Sequence, residues 1–171
     1  MRYLDNVNQS ITERRDIVIE TAFKLFAENR IEPVTMTIVA NNCNMGVASI
    51  YRYFGTKKEL VIAVATKKWR EYYGELQRHY NELNVEKMTA AQELEFYIDR
   101  YIDLYKENSD LLNFNANFSI YIGSEDTTKD EMKPYNSIID KFVNKFHMLY
   151  KKAQDDKTVR TDISEKSIFY N

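Results

Sequence analysis

The fold is decided by residues 35–54, which read TMTIVANNCNMGVASIYRYF. Thr35 is a favoured N-cap residue, so the sequence predicts a short helix over residues 36–42. Asn44 can adopt the left-handed backbone conformation that ends a helix, and a second short helix is predicted over residues 47–53. Two short helices joined by a tight turn form a helix-turn-helix, whose second helix can lie in the major groove of DNA.

Helix signals continue on both sides of this stretch. A capping box is present at Ser10-Ile-Thr-Glu13, which predicts a helix from Ser10 to about Asn29. Further helix starts are predicted at hydroxyl residues along the chain, namely Thr56, Thr89, Ser109, Thr128 and Ser164. The sequence shows no alternating strand pair, no internal repeat and no low-complexity linker. The predicted fold class is therefore all-α, with about eight helices.

Composition places the chain among ordinary globular proteins. Of its 171 residues, 44% are hydrophobic, 29% are charged and only 4 are Gly, which disfavours both disorder and Gly-rich phosphate loops. The single cysteine, Cys43, is too few for a disulfide or a structural zinc site, and we expect no metal and no cofactor. The longest apolar run, residues 61–65, is far shorter than a membrane span, and no signal peptide is visible. We therefore expect a soluble, cytoplasmic protein with no membrane partner.

Charge is divided unevenly along the chain. Residues 1–70 contain 11 Lys and Arg against 7 Asp and Glu, whereas residues 71–171 contain 13 against 19. No acidic residue occurs between Glu32 and Glu59, the stretch that contains the helix-turn-helix. A basic surface without carboxylates suits the phosphate backbone of nucleic acid. The two halves of the chain are therefore expected to meet different partners.

Four short segments follow one another along the chain, namely Ala22…Leu25-Phe26-Ala27-Glu28, Thr35-Met36…Ile38-Val39-Ala40, Ser49-Ile50-Tyr51-Arg52-Tyr53-Phe54 and Lys57…Glu59-Leu60. Taken in this order, they resemble the TetR family of bacterial transcriptional regulators. The resemblance implies a three-helix helix-turn-helix domain in residues 1–55. A long helix would join it to a helical domain for ligand binding and dimerisation in residues 56–171. The implied function is that of a ligand-responsive regulator, a repressor, that binds double-stranded operator DNA as a homodimer and is released by a small-molecule inducer.

Some positions depart from the family pattern. The family usually has Gly where Arg30 and Asn44 stand, and Ser or Thr where Gly46 opens the second helix of the motif. Asn and Gly can adopt the backbone conformations needed there, so the fold is not threatened. Members usually dimerise through two C-terminal helices, and this chain stops at Asn171, inside what should be the first of them. These helices are therefore expected to be naturally short or truncated.

The resemblance assigns DNA contacts to the motif and to the start of the next helix. Tyr51 matches a tyrosine that contacts phosphate, and Arg52 could bind guanine or phosphate. Lys57 lies in the first turn of a helix, where free amides already favour an anion, and Thr35 could donate to phosphate while it caps its helix. The predicted DNA-binding residues are Thr35, Val47, Ala48, Ser49, Tyr51, Arg52, Tyr53, Lys57 and Lys58.

The second half of the chain is rich in aromatic residues. Residues 71–171 contain 10 Tyr and 6 Phe, and Trp69 comes just before them. Most such side chains form the core, but this number exceeds what packing needs, and each buried Tyr hydroxyl requires a partner. We therefore expect a mostly apolar pocket for a small hydrophobic or aromatic ligand. Its predicted lining, chosen by helix face, is Tyr97, Tyr101, Phe114, Phe118, Phe142 and Phe146.

Catalytic motifs are missing from the sequence. It contains no GxGxxG, P-loop, HExxH or nucleophile-elbow pattern, and neither His79 nor His147 has a metal ligand at suitable spacing. We therefore expect no catalytic residue and no enzymatic activity. One alternative stays open, a helical interaction protein of the same fold that acts through a protein partner, because the motif contains few strong base-reading residues.

Overall fold

Regular structure in this chain is helical. The computed structural model describes residues 2–160 and 162–169, and it contains no strand in this part. Eight α-helices lie there, namely α1 Arg2–Asn29, α2 Met36–Asn42, α3 Val47–Tyr53, α4 Lys57–Asn81, α5 Ala90–Glu107, α6 Ser109–Ser124, α7 Lys129–Asp156 and α8 Glu165–Phe169. A 3₁₀ turn, Val85–Lys87, precedes α5. The all-α prediction is confirmed, and no helix of the described part has the length and apolar content needed to cross a bilayer.

Helix boundaries agree with the predicted ones where a cap fixes them. The predicted bounds of α2 and α3 match the structure, and the Thr35 hydroxyl oxygen accepts a hydrogen bond from the Ile38 amide at 3.2 Å. Asn44 adopts the predicted left-handed conformation, with φ 53°. At the start of α5, Thr89 and Gln92 form a full capping box.

The start of α1 was predicted wrongly. The helix begins at Arg2 rather than at Ser10. Residues 2–10 contain neither Pro nor Gly, so nothing in them stops the helix from extending toward the N-terminus. The Ser10 side chain of the predicted capping box lies outside the described part of the structure. The last predicted helix corresponds to α8, and its predicted final residue, Tyr170, is also outside the described residues.

Two compact units are formed, each from two separate segments of the chain. The first comprises residues up to 68 together with 109–135, and the second comprises residues 69–108 together with those from 136 onward. α6 belongs to the first unit because it packs against α1. This division does not follow the predicted boundary between residues 55 and 56, and the functional assignment of those two ranges stays a prediction.

The first unit is held together by an aromatic core. Phe114 of α6 is fully buried, and its ring centroid lies within 5.7 to 6.3 Å of three other rings, those of Phe23, Phe26 and Phe118. Ile50 and Phe54, predicted to be core residues, are both buried, with 0% and 1% of their surface exposed. These two side chains anchor α3, so the opposite side of that helix is left to face solvent.

The second unit has a core of its own. Its buried members are Leu76, Ala90, Tyr97, Leu149 and Ala153. The Asp156 carboxylate at the end of α7 accepts a hydrogen bond from the Ala90 amide at 2.6 Å, which ties that end to the start of α5. Because Ala90 is the first residue of α5, this carboxylate also satisfies an amide that has no partner within the helix.

Candidate nucleic-acid interface and ligand cavity

α3 presents several of its predicted DNA-binding residues to solvent. The Tyr51 side chain is 49% exposed, and the Arg52 side chain is also exposed, with its guanidinium 5.7 Å from the centre of the Tyr53 ring. This contact holds the arginine beside an aromatic face while it keeps its donors available. Of the remaining predicted residues on α3, Ala48 is exposed, whereas Val47, Ser49 and Tyr53 are half-buried.

Thr35 lies at the other end of the motif and caps α2. Its hydroxyl oxygen accepts from the Ile38 amide, and the residue is exposed. A hydroxyl that accepts one hydrogen bond still has its own proton to donate. The two roles predicted for Thr35, capping and donation to phosphate, are therefore compatible, and the capping role is the one present in the structure.

The two predicted phosphate-binding lysines are held by the protein itself. The Lys57 amine donates to the Glu32 carbonyl at 2.8 Å and lies 5.4 Å from the centre of the Tyr121 ring. The Lys58 amine lies 2.7 Å from a carboxylate oxygen of Glu131 and donates to the Asp126 carbonyl at 2.7 Å. Both lysines are half-buried, so they are positioned by the structure instead of extending freely into solvent.

These contacts change the acidity of the groups involved. Burial lowers the pKa of the Lys57 amine, whereas the hydrogen bond to Glu131 raises the pKa of the Lys58 amine. The same bond, with help from the Thr128 amide and hydroxyl, lowers the pKa of Glu131 to about 2. Lys58 and Glu131 therefore stay oppositely charged over the whole physiological pH range.

Four of the six predicted ligand-binding residues line one cavity of about 260 Å³ within the second unit. They are Tyr97, Tyr101, Phe142 and Phe146. The rest of this apolar cavity is formed by Trp69, Tyr72, Leu76, Leu104, Ile139 and Lys145. A concave, mostly apolar surface with a few polar groups is the usual form of a small-molecule site.

The other two predicted residues, Phe114 and Phe118, are not part of that cavity. They belong to α6 and to the first unit, where the Phe118 ring centroid lies 4.8 Å from that of Tyr135. Only 0% and 2% of their surface is exposed. The structure therefore makes them core residues of the first unit and does not bring them together with the other four.

A second, more polar depression of about 490 Å³ shares Tyr97 and Lys145 with the apolar cavity. We call it the lysine groove; its other lining residues are Tyr73, Tyr80, Glu93, Lys141, Asn144, Met148, Leu149 and Lys152. Glu93 is buried and accepts a hydrogen bond from the Tyr80 hydroxyl at 2.7 Å, and it also forms an ion pair with Lys152. Burial, reinforced by this hydrogen bond, raises the pKa of Tyr80, so its hydroxyl keeps its proton at neutral pH.

Sequence reasoning missed the lysine groove. Its two remaining cations, Lys141 and Lys145, are four residues apart on α7 and so lie on the same face of that helix. Each amine lies against an aromatic ring of α4, 5.4 Å from Tyr73 and 4.4 Å from Tyr80 respectively. The spacing of the two lysines was visible in the sequence, but the spacing alone does not reveal that α4 places aromatic rings opposite them.

The described residues contain no group of three His, Cys, Asp or Glu side chains close enough to hold a metal ion. Cys43 is half-buried in the turn that follows α2.

Comparison with known proteins bears on the first unit. Residues 18–64 match the family model described as bacterial regulatory proteins, tetR family. The resemblance to the TetR family is confirmed. The matched residues extend from α1 into α4 and include the whole helix-turn-helix.

The chain is also similar to a transcriptional regulator of known sequence. The chain is 26% identical over 91 residues to an HTH-type transcriptional regulator of Staphylococcus aureus. That alignment covers 51% of this chain and 49% of the relative, so the chain matches about half the length of the relative. The matched family and this relative are regulators of transcription, in agreement with the expectation that the chain is not an enzyme.

Solved structures share the fold. A putative transcriptional regulator from Saccharomonospora viridis in complex with choline is similar with a TM-score of 0.72 at 16% identity, over 91% of this chain and 77% of that one. The transcriptional regulator FadR from Bacillus subtilis in complex with stearoyl-CoA is similar with a TM-score of 0.67 at 16% identity, over 88% of this chain and 76% of that one. At such low identity these likenesses establish the fold alone.

Proposed function

We propose that this TetR-type chain is a cytoplasmic, ligand-responsive transcriptional repressor. In this proposal the helix-turn-helix binds operator DNA, and a small apolar ligand in the second unit releases it. The observation that carries the proposal is α3, which is fixed by the buried Ile50 and Phe54 and presents Tyr51 and Arg52 to solvent within a region that matches the TetR family model.

DNA binding is supported by the electrostatics of the motif. The acid-free stretch between Glu32 and Glu59 keeps carboxylates off α2 and α3, so a phosphate backbone would meet no like charge along the motif. Tyr51 would donate to phosphate from its exposed hydroxyl, and Arg52 would bind either phosphate or a guanine edge. Lys57 would contribute positive charge beside the start of α4, and Lys58 would do so by exchanging its ion pair with Glu131 for a phosphate.

Ligand binding is supported by the apolar cavity. Its volume of about 260 Å³ accommodates a small molecule, and aromatic rings line much of its wall. Two proteins with the same fold carry a bound small molecule, choline in one case and stearoyl-CoA in the other. α4 is a continuous helix that runs from Lys57, beside the motif, to the residues that line the cavity. We propose that a ligand-induced shift of α4 displaces α3 from the operator.

The mechanism requires a homodimer. Two recognition helices must lie one helical turn of DNA apart, about 34–36 Å, to enter successive major grooves. Sedimentation of the 171-residue chain, with and without operator, tests this requirement. We expect a dimer on the operator, and a chain that stays monomeric under both conditions would contradict the mechanism.

The most direct test of DNA binding is footprinting on the DNA that flanks the gene encoding this chain. We expect a protected site, with Arg52→Ala losing about 1–3 kcal/mol of discrimination at one base pair. Arg78→Ala is a matched control because Arg78 is an exposed arginine on α4 in the second unit. Equal losses on specific and random DNA would assign Arg52 to phosphate. Absence of protection on every fragment at low salt would contradict the repressor proposal.

The alternative, a helical interaction protein, is favoured by one feature of the second unit. α5 carries an exposed apolar stripe at helical spacing, formed by Ile98, Tyr101, Ile102 and Tyr105. Each of these residues has between 41 and 69% of its surface exposed. Such a stripe suits a protein partner, including a second copy of the chain. The footprint separates the two functions, because an interaction protein would protect no DNA.

A further inference from the structure

The lysine groove is lined by more positively charged than negatively charged side chains. Lys152 forms an ion pair with the buried Glu93, and the same carboxylate accepts the Tyr80 hydroxyl. Lys141 and Lys145 have no carboxylate within ion-pair distance in the part of the chain that the structure describes, and each amine lies against an aromatic ring instead. The groove therefore has an excess of about two positive charges. The aromatic rings beside these charges exclude part of the surrounding water.

The apolar cavity adjoins this charge at a defined point. Lys145 lines both the cavity and the groove, as does Tyr97. Lys145 is half-buried and its amine lies 4.4 Å from the centre of the Tyr80 ring, so its position is fixed more firmly than that of a free surface lysine. A molecule that fills the cavity and extends past Tyr97 would bring its polar end to the Lys145 amine.

We propose that the ligand of this regulator is an amphipathic organic anion, with its apolar body in the cavity and its carboxylate or phosphate bound by Lys145 and Lys141. The inference deepens the proposed function and rests on it, because it names the chemical class of the ligand that the function requires. A cation would meet two unpaired ammonium groups in the groove, and the Glu93 carboxylate that could attract it is already paired with Lys152. A neutral ligand would leave the lysines without a new partner.

Trp69 makes the test direct. It is the single tryptophan of the chain and it lines the apolar cavity, so its fluorescence reports on occupancy of that cavity without any DNA. The probes are decanoate, decyl phosphate, decanamide and decylammonium, which share a ten-carbon chain and differ in head-group charge. Each is titrated below the concentration at which it forms micelles. We expect the two anions to bind at least tenfold more tightly than decylammonium, and their relative affinity distinguishes a carboxylate from a phosphate ligand.

Variants of Lys145 assign the effect to the groove. Lys145→Met keeps the aliphatic stem over Tyr80 and removes the charge, and should weaken decanoate binding about tenfold while leaving decanamide binding within about twofold. Lys145→Arg keeps the charge and should retain decanoate binding within about threefold, which also shows that the position tolerates replacement. Lys151→Met is the control, because Lys151 is an exposed lysine of α7 that lines neither the cavity nor the groove.

Four results would overturn the inference. They are equal binding of decylammonium, equal binding of decanamide, a loss in Lys151→Met as large as that in Lys145→Met, and no fluorescence response to any anion. The footprinting experiment tests the proposed function independently of the ligand class. If the anions bind as expected and no operator is protected, the chain has the inferred ligand class without the repressor function. If the operator is protected and released by a neutral or cationic compound, the function stands and the ligand class is wrong.

Discussion

The replacement Phe114→Ala tests whether this side chain belongs to the core of the first unit or to a ligand site. Phe114 is fully buried, with its ring centroid 5.7 Å from Phe23, 6.3 Å from Phe26 and 6.0 Å from Phe118. Truncation of a buried Phe to Ala costs about 3–5 kcal/mol, and the loss of three ring pairs excludes the lower end of that range. We expect the free energy of unfolding to fall by about 4 kcal/mol.

Urea denaturation followed by circular dichroism measures this loss. For a slope of about 2 kcal/mol per molar urea, a loss of about 4 kcal/mol lowers the midpoint by about 2 M. Phe142→Ala is the matched comparison, since Phe142 is only half-buried and lines the apolar cavity. We expect it to reduce stability less than Phe114→Ala and to weaken decanoate binding more. A loss below about 1 kcal/mol in Phe114→Ala, together with weakened decanoate binding, would refute the assignment of Phe114 to the core.

Three further predictions concern single residues of the first unit. Lys57→Ala should reduce the slope of log binding constant against log salt concentration by about 0.9, the increment for one phosphate contact, and an unchanged slope would remove Lys57 from the DNA contacts. Glu131→Gln should destabilise the protein at pH 7 but not near pH 2. Because folding lowers the pKa of Glu131, its ion pair with Lys58 stabilises the protein above about pH 4.5, and this stabilisation is lost as the pH falls through about 2. Thermal unfolding across that range checks this, and a difference between wild type and variant that does not change with pH would contradict it. Arg30→Gly should raise the free energy of unfolding, measured by urea denaturation, by up to about 1 kcal/mol. Arg30 has φ 65° just after α1, a left-handed conformation that favours glycine. A loss of stability would show that the Arg30 side chain makes a stabilising contact.

Local sequence signals were sufficient to predict the positions of most helices. The starts of α2 and α5 are set by the caps Thr35 and Thr89, whose effect depends only on residues three positions away. The start of α1 was misplaced because a capping box within a chain of helix-compatible residues does not force a helix to begin there.

The candidate sites were harder to predict, because they depend on packing between segments that are distant in sequence. Helical periodicity identified apolar faces on α5, α6 and α7, but it could not show that α6 packs against α1 in the first unit. Phe114 and Phe142 therefore looked alike in sequence, although one is a core residue and the other lines a cavity. The contacts of Lys58 with Asp126 and Glu131, about seventy positions along the chain, were likewise invisible to any local rule.

The start of α3 has a consequence for how such a regulator can change over generations. Gly46, its N-cap residue, contributes no side-chain hydrogen bond, and its φ of −68° and ψ of 140° are accessible to any residue. A Cβ atom at this position would meet no heavy atom within 4 Å. A serine there would add both an N-cap oxygen and a hydroxyl at the end of the helix that is proposed to face DNA. Under the proposed function, a single codon change would therefore adjust promoter occupancy in a lineage, while the packing of both units stays as it is.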